Sequence, residues 1–203
     1  MYLILDLETI GEFNKLKYNY AKSHYKRPKT DSYGLRIIKI NYMICDKEMK
    51  IERASYNSVK LSYENDYEFI TKHNYNNKSG DCFKTICNEL LKAVENCSYI
   101  YGYDLENNIQ FLKDEMIAHY DQDTYEKIYE QIDSKYKLCF MKYTKTLVNK
   151  VTNNVKNNII IDPTLTDIYQ YLFNKKYTNG DKLEQIYLII KKLIDNNDFI
   201  LCL

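Results

Sequence analysis

Apolar and polar positions alternate through Leu5, Asp6, Leu7 and Glu8, and this period of two predicts a strand over residues 2–8. Residues 35–46 and 51–61 read as a second and a third strand, joined by a turn at Asp46–Lys50, so the pair predicts a hairpin. The period then changes. Phe83, Ile86, Cys87, Leu90, Leu91 and Val94 recur at helical spacing within residues 80–97, with Asp81 as the expected N-cap. Residues 98–104 form a short apolar run ending at Gly102, read as a strand. Leu105, Ile109, Leu112 and Met116 then lie on one helical stripe. Further helices are expected over 123–135, 164–177 and 181–196, and Pro163 bars a helix from running through Asp162. Residues 136–147 read as extended chain followed by a polar helix or loop. Residues 12–34 are polar and basic, too long and too poor in pattern for a regular element. This order predicts an α/β fold: a mixed central sheet opened by a hairpin and flanked by helices. No internal repeat and no linker rich in Pro, Gly or Ser divides the chain, so residues 1–203 are expected to form a single domain.

Composition narrows this picture. Apolar residues make up 45% of the 203 and charged residues 28%, the usage of an ordinary globular protein with a real core. The net charge of +1 supplies no global field toward nucleic acid or membrane, so any basic binding surface must be local. No apolar run approaches the ~20 residues of a membrane span, and the apolar start is cut by Asp6, which argues against a signal peptide. The six cysteines form no C-x-x-C pair and lie mostly in apolar contexts, the pattern of reduced thiols in an intracellular setting. The 22 tyrosines, beside no tryptophan and only two prolines, point to an AT-rich genome before any function, and they make a tyrosine near any site expected by chance.

The candidate chemistry starts in the first strand. Positions i and i+2 of a strand share a side, so Asp6 and Glu8 project together while Leu5 and Leu7 enter the core. Two adjacent carboxylates raise each other's pKa unless a cation lies between them, and hard divalent ions such as Mg²⁺ prefer an all-oxygen setting. A solvated strand face is the simpler explanation of such a pair taken alone.

More of the chain bears on the choice. The stretches "LILDLETIG", "LRIIKINYMICD" with Arg36, "SYIYGYDLENNIQFLKDEM", "YKLCFMKYTKTL" and "TLTDIYQYLFNKKYTNGDKLEQIYLIIKKL" together resemble, in order, the motif regions of DEDD-type 3′–5′ exonucleases. These are the proofreading-exonuclease group with an RNase H-like fold. Residues 69–80, with His73, sit where many relatives carry a histidine-containing turn. The nearest likeness is to exonuclease-domain proteins of large DNA viruses and phages. The resemblance implies an RNase H-like exonuclease fold, and in an active member it implies four carboxylates holding two metal ions about 4 Å apart, with a histidine or tyrosine as general base.

This chain keeps part of that pattern. Asp6 and Glu8 match the first pair of acids. The second-motif aspartate falls on Asn108, and the third motif's histidine and aspartate fall on Gly180 and Gln185. An amide offers a neutral oxygen and a glycine offers nothing, and loss of a general base alone typically costs ~10²–10⁴ in rate. The resemblance therefore implies at most one weak Mg²⁺ or Mn²⁺ site, on Asp6 and Glu8. Asp104, Asp181 and Glu184 are possible compensating acids, although Asp104 and Asp181 read more simply as helix N-caps. Tyr103, Tyr177 and Tyr187 are possible hydroxyl donors near the cleft.

Lys22, His24, Tyr25, Lys26, Arg27, Lys29 and Arg36 are the expected nucleic-acid contacts, with Tyr25 and Tyr33 able to stack on bases. A charge run in a loop is more often only a solvated loop. The leading expectation is a degenerate exonuclease-like protein, catalytically silent, that binds single-stranded DNA or RNA or scaffolds a nucleic-acid processing complex. An active metal-dependent exonuclease with a remodelled site is the alternative, and a protein-interaction module exploiting tyrosine-rich surface is a third. The expected location is intracellular, in host cytoplasm or nucleus if the chain is viral.

Overall fold

The computed structural model describes residues 1–11, 35–62, 67–75, 79–152, 155–156 and 159–196. Five strands make one mixed sheet. They are β1 (Tyr2–Gly11), β2 (Leu35–Cys45), β3 (Ile51–Ser58), β4 (Tyr99–Gly102) and β5 (Tyr136–Cys139), in the spatial order β3-β2-β1-β4-β5. β1, β2 and β3 pair antiparallel, whereas β4 runs parallel to β1 and β5 parallel to β4. Helices α1 (Tyr67–Lys72), α2 (Phe83–Glu95), α3 (Leu105–His119), α4 (Gln122–Asp133), α5 (Phe140–Thr152), α6 (Leu165–Phe173) and α7 (Lys182–Asp195) account for the remaining regular structure among the described residues, apart from a two-residue pair of β6 (Val155–Lys156) with β7 (Ile159–Ile160). Among the described residues no helix is long and apolar enough to cross a membrane.

The alternation of β1 divides the protein into two cores. Leu3, Leu5 and Leu7 pack with Phe83, Ile86 and Leu90 of α2, Leu105 and Leu112 of α3 and Ile128 of α4. Tyr2 and Ile4 face the other way, against Phe140 of α5, Ile168 of α6 and Leu183, Ile186 and Ile190 of α7. Both faces of the central strand are thus covered, as parallel pairing within a sheet generally requires. Asp6 and Glu8 continue the Tyr2–Ile4 side and come out beneath the start of α7, which packs on β1 and β2. The register sets their neighbours: Asp6 stands opposite Asn41 and Glu8 opposite Lys39, just before a bulge at Glu8/Thr9.

The expected hairpin, mixed sheet and flanking helices are all present, with shifts at the margins. α2 begins at Phe83 with Cys82, not Asp81, as its N-cap, because the Asp81 backbone is drawn into a parallel bridge with Val59. Its N–H donates to the Ser58 carbonyl at 3.2 Å and its carbonyl accepts from Lys60 at 2.9 Å. The same bridge ends β3 at Ser58. Residues 136–147 resolve into β5 followed directly by α5, a helix whose buried face includes Phe140, Thr144 and Val148. α1 was not expected; it begins within the tyrosine-rich segment just before His73.

Gly102, where β4 ends, lies so close to β1 that an added Cβ would stand 2.8 Å from the Leu5 carbonyl oxygen and 3.0 Å from Leu105 Cδ1. Neither the strand backbone nor the first turn of α3 can retreat without disturbing the sheet. Gly102→Ala is expected to destabilise the fold by about 1–3 kcal/mol through overpacking, measured as a lower midpoint in urea unfolding with an unchanged slope.

Candidate functional site

The site forms where β1 runs out under the N-terminus of α7. Gly180 adopts φ +76°, a left-handed turn that glycine accepts without a side-chain penalty. Asp181 then caps α7, accepting the Glu184 N–H at 3.0 Å. Lys182 is the first helical residue, and its Nζ lies 2.6 Å from Asp6 Oδ1. The Asp6 side chain is wholly buried, at 0% exposure, while Lys182 is 42% exposed and reaches in from the cleft. The contact is an ion pair by distance. Its angles fall outside hydrogen-bond geometry, so neither Asp6 oxygen has a well-directed donor among the described residues.

Burial pushes the Asp6 carboxyl above the usual aspartate range. The Lys182 charge pulls it back down without cancelling the effect, and the nearby Glu8 and Asp181 carboxylates add to the upward push. Glu8 has its own partner, since Lys39 Nζ is 2.9 Å from Oε2 across the β1–β2 ladder, both side chains being partly exposed. The two acids expected to share one cation are thus each matched with a separate lysine.

A cleft of about 430 Å³ opens beside them, lined by Glu8, Lys39 and Asn41 from the sheet, Tyr56–Ser58 from β3 and Gly180–Leu183 from the α7 turn. Tyr56 is 54% exposed, and its phenol is pushed up to about 12 by partial burial and by the neighbouring Asp181 carboxylate. It is thus a hydrogen-bond donor at neutral pH.

Two of the three positions that depart from the motif pattern are turned into the protein. Asn108 is buried, and its Nδ2 donates to the Tyr103 carbonyl at 3.2 Å. Gln185 is buried one helical turn beyond Asp181, and its Nε2 donates to the Leu165 carbonyl at 3.4 Å, tying α7 to the start of α6. Gly180 lines the cleft itself. Of the possible compensating acids, Asp181 is a true cap and a neighbour of Asp6, while Glu184 accepts from the Tyr177 hydroxyl at 2.8 Å. Asp104 occupies the N-cap position of α3 in a left-handed conformation with no capping bond. Its two oxygens instead accept from Asn107 Nδ2 at 2.9 and 3.0 Å. Tyr103 and Tyr187 donate to the Pro163 and Met49 carbonyls, so these hydroxyls serve the fold.

Arg36, expected on a nucleic-acid surface, is buried and pairs with Glu115 of α3 at 3.7 Å. An arginine inside the protein satisfies a buried carboxylate and has little surface left for phosphate. Lys22, His24, Tyr25, Lys26, Arg27, Lys29 and Tyr33 lie outside the described residues. Sequence reading missed Lys182, Lys39 and Tyr56. The position of Lys182, directly after a capping aspartate, was a usable signal, but Lys39 and Tyr56 reach the cleft only through strand register.

No protein-family model matches the sequence, and no curated protein matches it. Solved structures do. Exonuclease I bound to the inhibitor BCBP aligns with 97% of this chain and 41% of its own at 11% identity and a TM-score of 0.60. A product-bound exonuclease I aligns with 96% of this chain and 43% of its own at 11% identity and a TM-score of 0.58. The RNase domain of the yeast Pop2 protein aligns with 96% of this chain and 77% of its own at 14% identity and a TM-score of 0.57. The chain therefore spans less than half the length of the exonuclease I chains it matches. The fold they define is the RNase H-like exonuclease fold, with its mixed five-stranded sheet and flanking helices.

The two-ion arrangement implied by the motif resemblance does not fit the residues present. Among the described residues no three His, Cys, Asp or Glu side chains are grouped to hold a metal. Asp6, the wholly buried carboxylate at the end of β1, already faces an ammonium.

Because the folded-state pKa of Asp6 is raised above its unfolded value, ionising it costs stability as pH rises from the unfolded value through the folded one. Asp6→Asn removes that cost, and the freed Lys182 can turn to water. The variant is expected to match the wild type below pH ~3.8, to gain relative to it as pH rises through the Asp6 titration, and to hold a constant advantage above. Paired urea titrations across pH 3–8 check this; an advantage that instead shrinks with rising pH contradicts it.

Proposed function

We propose that this chain is an exonuclease-fold protein that binds single-stranded nucleic acid and has lost ordinary two-metal hydrolysis. The observation that carries the reading is the fate of the three substituted motif positions. Asn108 and Gln185 are buried with their amide nitrogens donating to backbone carbonyls, and Gly180 carries no base. Neutral residues there supply neither the charge that a second ion needs nor a proton acceptor for water. Binding of a strand then rests on the basic segment 12–34, on Lys39 and Lys182 at the cleft mouth, and on Tyr56 as an exposed aromatic surface for a base. The kinship with viral and phage exonuclease domains rests on the motif resemblance alone.

One observation favours a second reading, an active enzyme with a remodelled site: the Asp181 carboxylate is close enough to Asp6 to raise its pKa. A single assay separates the two. Labelled single- and double-stranded DNA and RNA are incubated with the protein in Mg²⁺ or Mn²⁺, beside an Asp6→Ala/Glu8→Ala variant. The expected result is no cleavage above that control, together with anisotropy-detected binding of single-stranded oligonucleotide in EDTA that weakens as salt rises. Cleavage by the wild type alone establishes the remodelled enzyme. Absence of any salt-sensitive binding removes the nucleic-acid reading.

A further inference from the structure

The lysines that line the cleft bring little uncommitted charge to a phosphate, because Lys39 stands 2.9 Å from Glu8 and Lys182 stands 2.6 Å from Asp6. The connection from α6 to α7 differs. Residues 174–181 read "NKKYTNGD", and Lys175 and Lys176 are both exposed. Neither is engaged in an ion pair among the described residues, in contrast to Lys142 and Lys145 nearby in sequence. The loop is short and held at three points. Asn174, left-handed at φ 56°, ends α6 with its N–H donating to the Gln170 carbonyl at 2.9 Å. Tyr177 fixes the middle: its hydroxyl donates to Glu184 Oε2 at 2.8 Å, and its ring meets that of Tyr169 edge-on at 5.1 Å. Asp181 then caps α7. A backbone pinned in this way presents two adjacent ammonium groups to solvent with little further ordering needed on binding.

We propose that the α6–α7 loop is a phosphate shelf for single-stranded nucleic acid, on which Lys175 and Lys176 contact backbone phosphates and guide the strand to the cleft beside Tyr56. The proposal rests on the strand-binding reading above and gives it a location. Four residues, at most about 14 Å of chain, separate Lys176 from Gly180 at the cleft wall. A lysine is a flexible point charge that meets phosphate without regard to the base it carries. Thr178 and Asn179, also exposed, add a hydroxyl and an amide along the same path. Tyr56 lines the cleft with the end of the loop and has Asp181 as a neighbour. The Asp181 carboxylate repels a phosphate at that point. The charge pattern therefore favours the strand's backbone on the loop and a base, which carries no charge, in the cleft against the Tyr56 ring.

The probes are short fluorescein-labelled oligo(dT) and oligo(U), titrated with the intact chain in EDTA over a series of salt concentrations and followed by anisotropy. Lys175→Gln/Lys176→Gln is expected to weaken binding about tenfold at low salt. It is also expected to reduce the slope of log affinity against log salt by about 1.4, the contribution of two single-strand phosphate contacts. Lys175→Arg/Lys176→Arg is expected to keep the wild-type slope. Lys47→Gln/Lys50→Gln makes the same change of net charge in the exposed β2–β3 turn, at the end of β2 away from Lys39, and is expected to leave affinity and slope unaltered. Tyr56→Leu is expected to lower affinity without altering the slope, since stacking releases no counterions. Unlabelled inorganic polyphosphate, which offers no base, is expected to compete less well than unlabelled oligonucleotide at equal phosphate concentration. The proposal is overturned if the Lys175/Lys176 glutamine pair keeps the wild-type affinity and slope, or if the Lys47/Lys50 pair loses as much. Loss of slope rather than affinity alone in Tyr56→Leu, or equal competition by polyphosphate, overturns the placement of a base in the cleft. Salt-sensitive wild-type binding that ignores Lys175 and Lys176 sinks this inference and leaves the strand-binding reading standing, whereas no wild-type binding at all removes both.

Discussion

A charge with no access to water has to be answered from within the protein, and Asp6 imposes that demand on everything around it. It sits on the central strand at the point where an apolar core face gives way to a polar cleft, so solvent cannot reach it and the core cannot neutralise it. The answer comes from the first residue of α7, 176 positions later in the chain, and it fixes how the last helix sits on the sheet. The tight turn at Gly180, the cap at Asp181 and the amide of Gln185 holding α6 all serve that placement. The ion pair itself need not add net stability, since burying both charges is costly; its value lies in making one docking of α7 far better than its alternatives.

The architecture was legible because its signals are local and repeated. Alternation in β1 and helical spacing in α2 and α3 survive in any register of reading, and the two cores follow from which side each residue takes. The margins were less legible because backbone pairing decides them: Asp81 looks like an N-cap until the bridge to Val59 claims its main chain. The site was half legible. Asp6 and Glu8 stand where the strand pattern puts them, and the three substituted motif positions fall on buried or cleft-lining residues. What cannot be read along one chain is pairing across it. Lys39 reaches Glu8 only because the hairpin register sets them opposite, and Lys182 reaches Asp6 only because α7 crosses the end of β1. Arg36 shows the converse case: a basic residue beside a polar loop invites a surface role until a buried glutamate from α3 is found waiting for it.

The likeness to solved exonucleases at low identity follows from the same division. The fold of this chain rests on two apolar faces, a parallel β1–β4 contact that leaves no room for a side chain at Gly102, and helices that cover the sheet, terms that many sequences can meet. The polar residues at the strand ends are under no such constraint. They can differ while the scaffold persists, so a shared fold alone does not fix the chemistry at those few positions.

Gly180 and Lys182 together limit what the end of β1 can become. A side chain at position 180 would have to accept a left-handed backbone, at a cost of roughly 1–2 kcal/mol, although the space there is open. Losing the ammonium at 182 would strand a buried carboxylate without its counterion. Positions 6, 180 and 182 are thus coupled, and the cost of changing one depends on what stands at the others. The end of β1 behaves as an interlocked joint, open to concerted substitution and closed to piecemeal change.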